Sequence, residues 1–202
     1  MGCDIHSFAE RKNTITNQWE VVKDYFTVDD YYKEYIKKDK GDNPFYWRNY
    51  SMFAVLANVR NNGDFKEIST PKGIPYDISD DVKSYYDSVA KESHSPSYLT
   101  LKELLEFNYN KLPSTLDYII RYLGIKPANN IMAHDIISHV HTMNIKDETK
   151  EDTISLIIEY SNEDGTLITY KDELGEMFFQ HLEELKTLGK PDDVRVIFWF
   201  DN

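Results

Sequence analysis

A chain of 202 residues that is 41% hydrophobic and 14% aromatic carries enough apolar mass for one sizeable core. This excludes a disordered tail and sets the expectation of a single domain over residues 1–202. A net charge of −12, with arginine only at positions 11, 48, 60, 121 and 195, excludes a broad surface for duplex DNA or RNA but not a small anion held at short range. The single cysteine excludes an internal disulfide and a cysteine-rich zinc knuckle, no apolar run approaches the length of a membrane span, and no signal-peptide pattern is seen, so a cytoplasmic setting is expected. A near-match to a myristoylation signal at Gly2 fails at His6, where that motif needs Ser or Thr.

Residues 2–11 and 18–23 read as two strands, with Ile5, Phe8, Trp19, Val21 and Val22 as strand formers and the polar segment 13–17 turning between them. The Tyr-, Lys- and Asp-rich tract 24–50 reads as solvated linker, with 37–44 as a mobile loop. Val82, Tyr85, Tyr86 and Val89 recur at helical spacing after Ser79 and predict an amphipathic helix over 80–92. Thr100 and Glu103 form a capping box, with Leu99 and Leu104 as its hydrophobic staple. A third helix starts at Ser114 and stops at Gly124, followed by Pro127. Met132, Ile136, Val140 and Met143 place a fourth within 130–143. Segments 153–160 and 166–170 flank the glycine-containing loop 161–165 as a hairpin, with a helix through 153–160 as the alternative. A clear amphipathic helix runs from Leu174 to Leu188 and ends at Gly189.

The nearly continuous apolar run Val194–Phe200 predicts a central strand covered on both faces, with residues 2–9 as its neighbour. The fold class is therefore α+β: an antiparallel or mixed sheet joins the N-terminal hairpin to the C-terminal strand, several amphipathic helices surround it, and a variable insertion lies around 125–170.

Asp4 and His6 stand two apart on a strand, so both side chains share a face while Cys3 and Ile5 take the other. A carboxylate and an imidazole held this way are candidate acid/base groups or ligands for a divalent metal, the one cofactor the chain suggests. The alternative is structural: Asp4 pairs with Lys or Arg, and His6 is a half-buried strand residue. His94, Ser95 and Ser97, ahead of the capped helix, form a candidate anion site, against the alternative of a loop satisfying its own backbone. Arg60, read as a buried cation, and the Pro-Gly-rich segment carrying Lys72 and Asp77 form a third candidate, for which turn chemistry is the competing explanation. Antiparallel pairing of the terminal strands would bring Asp201 to Asp4 or His6. The cluster His134, Asp135, His139 and His141 does not converge on one helix face, and His181 reads as a satisfied core histidine.

The segments Gly2–His6, Arg60 with 72–77, 94–101 and Phe198–Asn202 together resemble a family of uncharacterised bacteriophage and prophage proteins, while 24–50 and 125–170 match nothing in it. The resemblance implies a mobile-element setting, in which small accessory proteins counter host defence through nucleotide signals. The expected function is sequestration of a small anionic nucleotide-like molecule by Asp4, His6, Arg60, Lys72, Asp77, His94, Ser95, Ser97 and Asp201, with aromatic rings on the base. The alternatives are a metal-dependent hydrolase using Asp4, His6 and His94 on a phosphorylated small molecule, and an inhibitor that occupies a host protein. The expected partners are the small ligand and, as an option, a second copy of the chain; a nucleic-acid duplex and a membrane are not expected.

Overall fold

The apolar run near the C-terminus forms the middle of a sheet. In the computed structural model, which describes residues 2–62, 64–126 and 131–202, the chain begins with β1 (Asp4–Lys12), β2 (Trp19–Val21), β3 (Phe26–Thr27), α1 (Asp30–Ile36) and β4 (Lys40–Gly41). It continues through α2 (Tyr50–Ala57), α3 (Asp80–Val89), β5 (Ser93–Thr100), α4 (Leu101–Glu106) and α5 (Ser114–Tyr122). It ends with α6 (Ala133–Thr142), α7 (Asp147–Glu159), α8 (Tyr170–Lys186) and β6 (Val194–Asp201). The chain clusters into two compact units. Met1–Arg60, Glu67–Phe107 and Leu174–Asn202 make the first, and Asn61–Lys66 with Asn108–Glu173 the second.

In the first unit the strands stand in the order β2-β1-β6-β5, all antiparallel. The fold is thus α+β, with the N-terminal hairpin and the C-terminal strand in one sheet. β6 is buried along both faces from Val194 to Phe200, which is why its sequence lacks the alternation of a half-solvated strand. On one face, Val82, Tyr86 and Val89 of α3 pack with Ile197, Trp199, Phe8 and Tyr98. On the other, Phe53 of α2 meets Phe200 edge-on at 5.0 Å, and α4 buries Leu101 and Leu104 behind its intact capping box.

The tract 24–50 is not a solvated linker. Phe26, Val28 and Phe45 are buried, β3 pairs with β4, and the hydroxyl of Ser7 donates to the carbonyl of Pro44. His181 anchors the tract: its Nδ1 accepts from the Phe45 amide at 2.9 Å and its Nε2 donates to the Thr27 carbonyl at 2.6 Å. This pattern requires the neutral ring protonated on Nε2, and burial holds the His181 pKa below its ordinary value. Local polarity hid these contacts, because the tract buries one aromatic at a time with no period.

The buried cation is Arg195, not Arg60, which is exposed. Arg195 donates to Glu10 through Nε at 2.8 Å and Nη2 at 2.7 Å, and to Asp77 through Nη1 at 2.7 Å. Its guanidinium lies 3.9 Å from the Trp19 ring centre, and the Trp19 indole donates to Asp77. Asp77 is therefore part of a structural network at the end of the sheet where Glu10 faces Arg195.

The second unit packs α5, α6 and α7 around Leu116, Ile120, Ile136, Val140, Ile157 and Leu167. α5 and α6 follow the expected patterns, and Gly124 ends α5 with φ 72°; Pro127 lies outside the described residues. The hairpin expected from residue 153 is overturned: α7 runs through it. The local run of β-branched residues suggested a strand, but the upstream acidic segment supplies a first turn with Asp147 and Glu148 that suits a helix N-terminus. The expected turn survives between α7 and residue 166, where Gly165 (φ 82°) donates to the Asn162 carbonyl. α8 starts at Tyr170, breaks at Gly175 (φ 76°) and continues in the first unit.

Two outcomes follow. Arg195→Met should lower the unfolding free energy in urea by about 3–5 kcal/mol, because Glu10 stays buried without its partner. Asp77→Asn, at a more exposed position, should cost clearly less; equal losses would contradict the placement. Because the native pKa of His181 is depressed, its contribution should be complete above pH 6.5 and disappear as the pH falls toward the native pKa. Denaturation midpoints across pH 5–7 test this, with His181→Gln expected to flatten that part of the profile.

Candidate functional site

The candidate site lies at the other end of the sheet in the first unit, where β1 begins and β6 ends. The register Asp4↔Asp201, Ile5↔Phe200, His6↔Trp199 puts Asp4, His6, Asp201 and Trp199 on one face. The diagonal neighbour of His6 is then Asp201, and its Nε2 lies 3.0 Å from Oδ2 of that carboxylate. Tyr85 of α3 brings its hydroxyl to 3.4 Å from Nδ1, and the imidazole stacks on Trp199 with ring centres 5.9 Å apart. A carboxylate on one ring nitrogen and a tyrosine on the other hold the imidazole in one orientation, with about a quarter of the side chain exposed (28%). The Trp199 indole N–H, buried in this aromatic stack, has no acceptor among the described residues.

Asp4 takes the structural alternative. Arg48 grips it with Nε at 2.9 Å and Nη2 at 2.7 Å, and these bonds hold the Asp4 carboxyl below its usual pKa. Its carboxylate and the imidazole of His6 thus turn to different partners. No group of three His, Cys, Asp or Glu side chains is placed to hold a metal among the described residues.

His94 does not join that face. It pairs with Phe200 across β5 and β6, so its ring lies on the opposite face, stacked on Phe200 at 5.9 Å. There its Nε2 lies 3.9 Å from the Cys3 sulfur and its Nδ1 3.1 Å from the Ser95 hydroxyl. Burial raises the pKa of the Cys3 thiol, and a hydrogen bond with Arg60 works against that rise. Arg60 also donates to the Asn202 amide oxygen at 2.9 Å. Two non-glycine residues here are left-handed, Arg60 (φ 53°) and Ser95 (φ 50°); such backbone costs about 1–3 kcal/mol and concentrates at functional sites.

The segment 93–100 is an edge strand with an irregularity between His94 and Ser97, not a turn aimed at a ligand. The amide of Thr100, ahead of α4, is taken by Glu103. Ser97 is buried and accepts from the Lys72 amide. The Lys72 ammonium lies 2.8 Å from both Glu103 oxygens and 4.3 Å from the Tyr98 ring centre. Burial opposes ionisation of Glu103, but the bonds from Lys72 and Thr100 outweigh it and its pKa falls.

The structure therefore gathers Asp4, His6, Arg60, His94, Ser95 and Asp201 at one sheet end, and leaves Lys72, Ser97 and Asp77 in structural networks away from it. Sequence reasoning missed Arg48, Cys3, Tyr85 and Asn202. Cys3 carried a signal in its position beside Asp4, and Asn202 in its position beside Asp201.

Beside His6, a cleft of about 590 Å³ opens over Phe8, Tyr32, Tyr46 and Tyr85, within the size range of small-molecule sites. Its charges, Lys23 against Asp42 and Asp81, do not favour an anion, and Lys23 is paired with Asp81 at 2.7 Å. The cationic groups stand at the sheet end instead.

Arg48→Ala should move the Asp4 pKa up toward 3.8, readable by carboxyl NMR titration. The stability that Asp4 contributes above that value, and loses as the pH falls below it, should vanish with the arginine. Cys3, as the single thiol, should react with a disulfide reagent far more slowly in the native protein than in denaturant; equal rates would contradict its burial. No protein-family model, curated protein or solved structure matches the chain, and what the site can do follows from its geometry alone.

Proposed function

We propose that the protein is a phage-encoded accessory protein that binds and holds a small anionic nucleotide-like signalling molecule in the host cytoplasm. The observation that supports this is convergence. Segments around residues 4, 48, 60, 94 and 201, scattered through the chain, bring two guanidiniums and two imidazoles to one sheet end, with His6 beside a tyrosine-lined cleft and His94 on the opposite face. Arg48 and Arg60 are exposed and suit phosphate oxygens, Arg48 by exchanging its bonds to Asp4 and Arg60 its bond to the Asn202 amide. Tyr85, Tyr46 and Tyr32 suit the planar part of the ligand, where the cleft's near-balanced charge favours an uncharged ring over a phosphate.

A second function is favoured by one specific contact, the His6–Asp201 pair at 3.0 Å. A carboxylate that orients an imidazole beside a cleft is the arrangement of a general base, so hydrolysis of the bound phosphorylated molecule is the competing outcome. The partners of Asp4 and His6 do not converge on a common metal position, which supports an acid/base role for His6 over metal ligation.

One experiment separates the two. The protein is incubated with a panel of cyclic and linear signalling nucleotides, the free pool is measured, the protein is heat-denatured, and the released material is analysed. Depletion followed by recovery of intact nucleotide is the expected result, whereas conversion to product would establish hydrolysis. Arg48→Ala with Arg60→Ala should weaken capture about tenfold or more, while His6→Ala should abolish any conversion. No depletion of any nucleotide would end both readings.

A further inference from the structure

The aromatic cleft beside His6 has a polar rim in which acceptors outnumber donors. Lys23, just after β2, Asp42 and Asn43, just after β4, and Asp81 and Ser84 of α3 supply it. Asp42 accepts from the Asp24 amide through Oδ1 at 2.6 Å, and its other oxygen takes no hydrogen bond among the described residues. A carboxylate has about four acceptor sites, so most of the capacity of Asp42 is left for a ligand. Asn43 donates through Nδ2 to the Ser7 carbonyl at 2.5 Å, which only its amino group can do, so its side-chain oxygen stays an acceptor.

The positive charge of the rim is Lys23. One of its three N–H bonds goes to Asp81 at 2.7 Å, which leaves two to give. Its pKa is raised, first by that bond and in smaller part by Asp42, so the ammonium and the Asp42 carboxylate share one field. Lys38, the other cation near Asp42, pairs with Asp24 at 2.6 Å and does not line the cleft. The hydroxyls of Tyr46 and Tyr85 are engaged by Asp29 and His6. What the rim offers is thus a donor beside a carboxylate, with a net charge of the lining that repels anions.

That order complements the edge of one nucleobase. Guanine presents a carbonyl oxygen, O6, followed by two donors, N1–H and the N2 amine; a carboxylate can take both donors in bidentate fashion while an ammonium takes the oxygen. Adenine, cytosine and uracil each carry a single donor group on that edge with an acceptor beside it, so a ring nitrogen or an oxygen would be set against the Asp42 carboxylate. A stacking face is also present. Tyr32 and Tyr46 lie flat on each other at 4.5 Å, but the rings around Tyr85, those of His6, Phe8 and Trp199, are tilted to it by 49°, 60° and 36°. No ring lies flat on Tyr85 among the described residues, and it keeps 43% of its surface exposed.

We infer that the cleft is selective for guanine, with Asp42 accepting from N1–H and the N2 amine, Lys23 donating to O6, and the base lying on Tyr85. The inference rests on the proposed reading of this cleft as the seat of the planar part of a nucleotide.

Calorimetric titration with the 3′,5′-cyclic monophosphates of guanosine, inosine, adenosine, cytidine and uridine tests it, because the five share one phosphate and differ in the base. Cyclic GMP should bind about tenfold or more tightly than cyclic AMP, CMP and UMP, and cyclic IMP, which lacks the N2 amine, should fall between. Asp42→Asn keeps an oxygen for the Asp24 amide and sets an N–H against the guanine donors, so it should bring cyclic GMP level with cyclic AMP while the circular dichroism stays that of the parent. Lys23→Met should weaken cyclic GMP and cyclic IMP alike, since both carry O6. Tyr85→Ala should weaken all five. Binding without an order among the bases, or an order that survives Asp42→Asn, would overturn the inference and leave the cleft as a base site. Binding of none of the five, or binding untouched by Tyr85→Ala, would overturn the reading on which the inference rests, and the inference with it.

Discussion

The antiparallel pairing of β1 with β6 is the contact on which the first unit depends. It joins Asp4 to Asp201 and Arg11 to Val194 in one continuous register, closing a loop that contains most of the chain. Loop-closure entropy grows slowly, by about 0.6 kcal/mol per doubling of length, so the equilibrium cost of so distant a pairing is modest. The kinetic cost is larger, because contacts far apart in sequence form late. What rewards the pairing is that β6 is buried on both faces and cannot remain at an edge.

The same register sets the chemistry at both ends of the sheet. At one end Glu10 faces Arg195, where a fully buried carboxylate and guanidinium satisfy each other and fix the segment that carries Asp77. At the other end the strands separate the titratable groups by face. His6 meets Asp201 on the side of α3, and His94 meets Cys3 on the side of α2. A slip of one residue would exchange the faces and dissolve both pairs. The His6–Asp201 and His94–Cys3 pairs at the sheet end are therefore a consequence of the strand pairing that buries the core.

Two clefts of different character accompany this arrangement. The one beside His6 is aromatic with nearly balanced charge, and the one in the second unit is lined by lysines and an arginine together with two aspartates. Net charge describes the far field alone. At contact distance the placed charges set the local field, because screening weakens the contribution of more distant groups.

Wherever a local signal was strong, the sequence by itself determined the outcome. The Thr100–Glu103 box, the apolar stripes of α3, α5, α6 and α8, and the unbroken hydrophobic run of β6 are short-range or periodic features, and each acts within a few residues of itself. Asp4 and His6 sharing a face follows from the period of a strand, and the nearness of Asp201 to His6 follows from pairing the two terminal strands. Only the tertiary structure decided that His94 lies on the opposite face, that Asp4 belongs to Arg48, that Arg195 is the buried cation, and that residues 24–50 pack on His181. Each of these depends on which residues meet across long separations, where neither periodicity nor propensity carries information. The misplaced strand at 153–160 had the same origin: a short segment with four β-branched residues among the six from Thr153 to Ile158 is ambiguous by itself, and it became the second half of a helix because the polar residues before it began one.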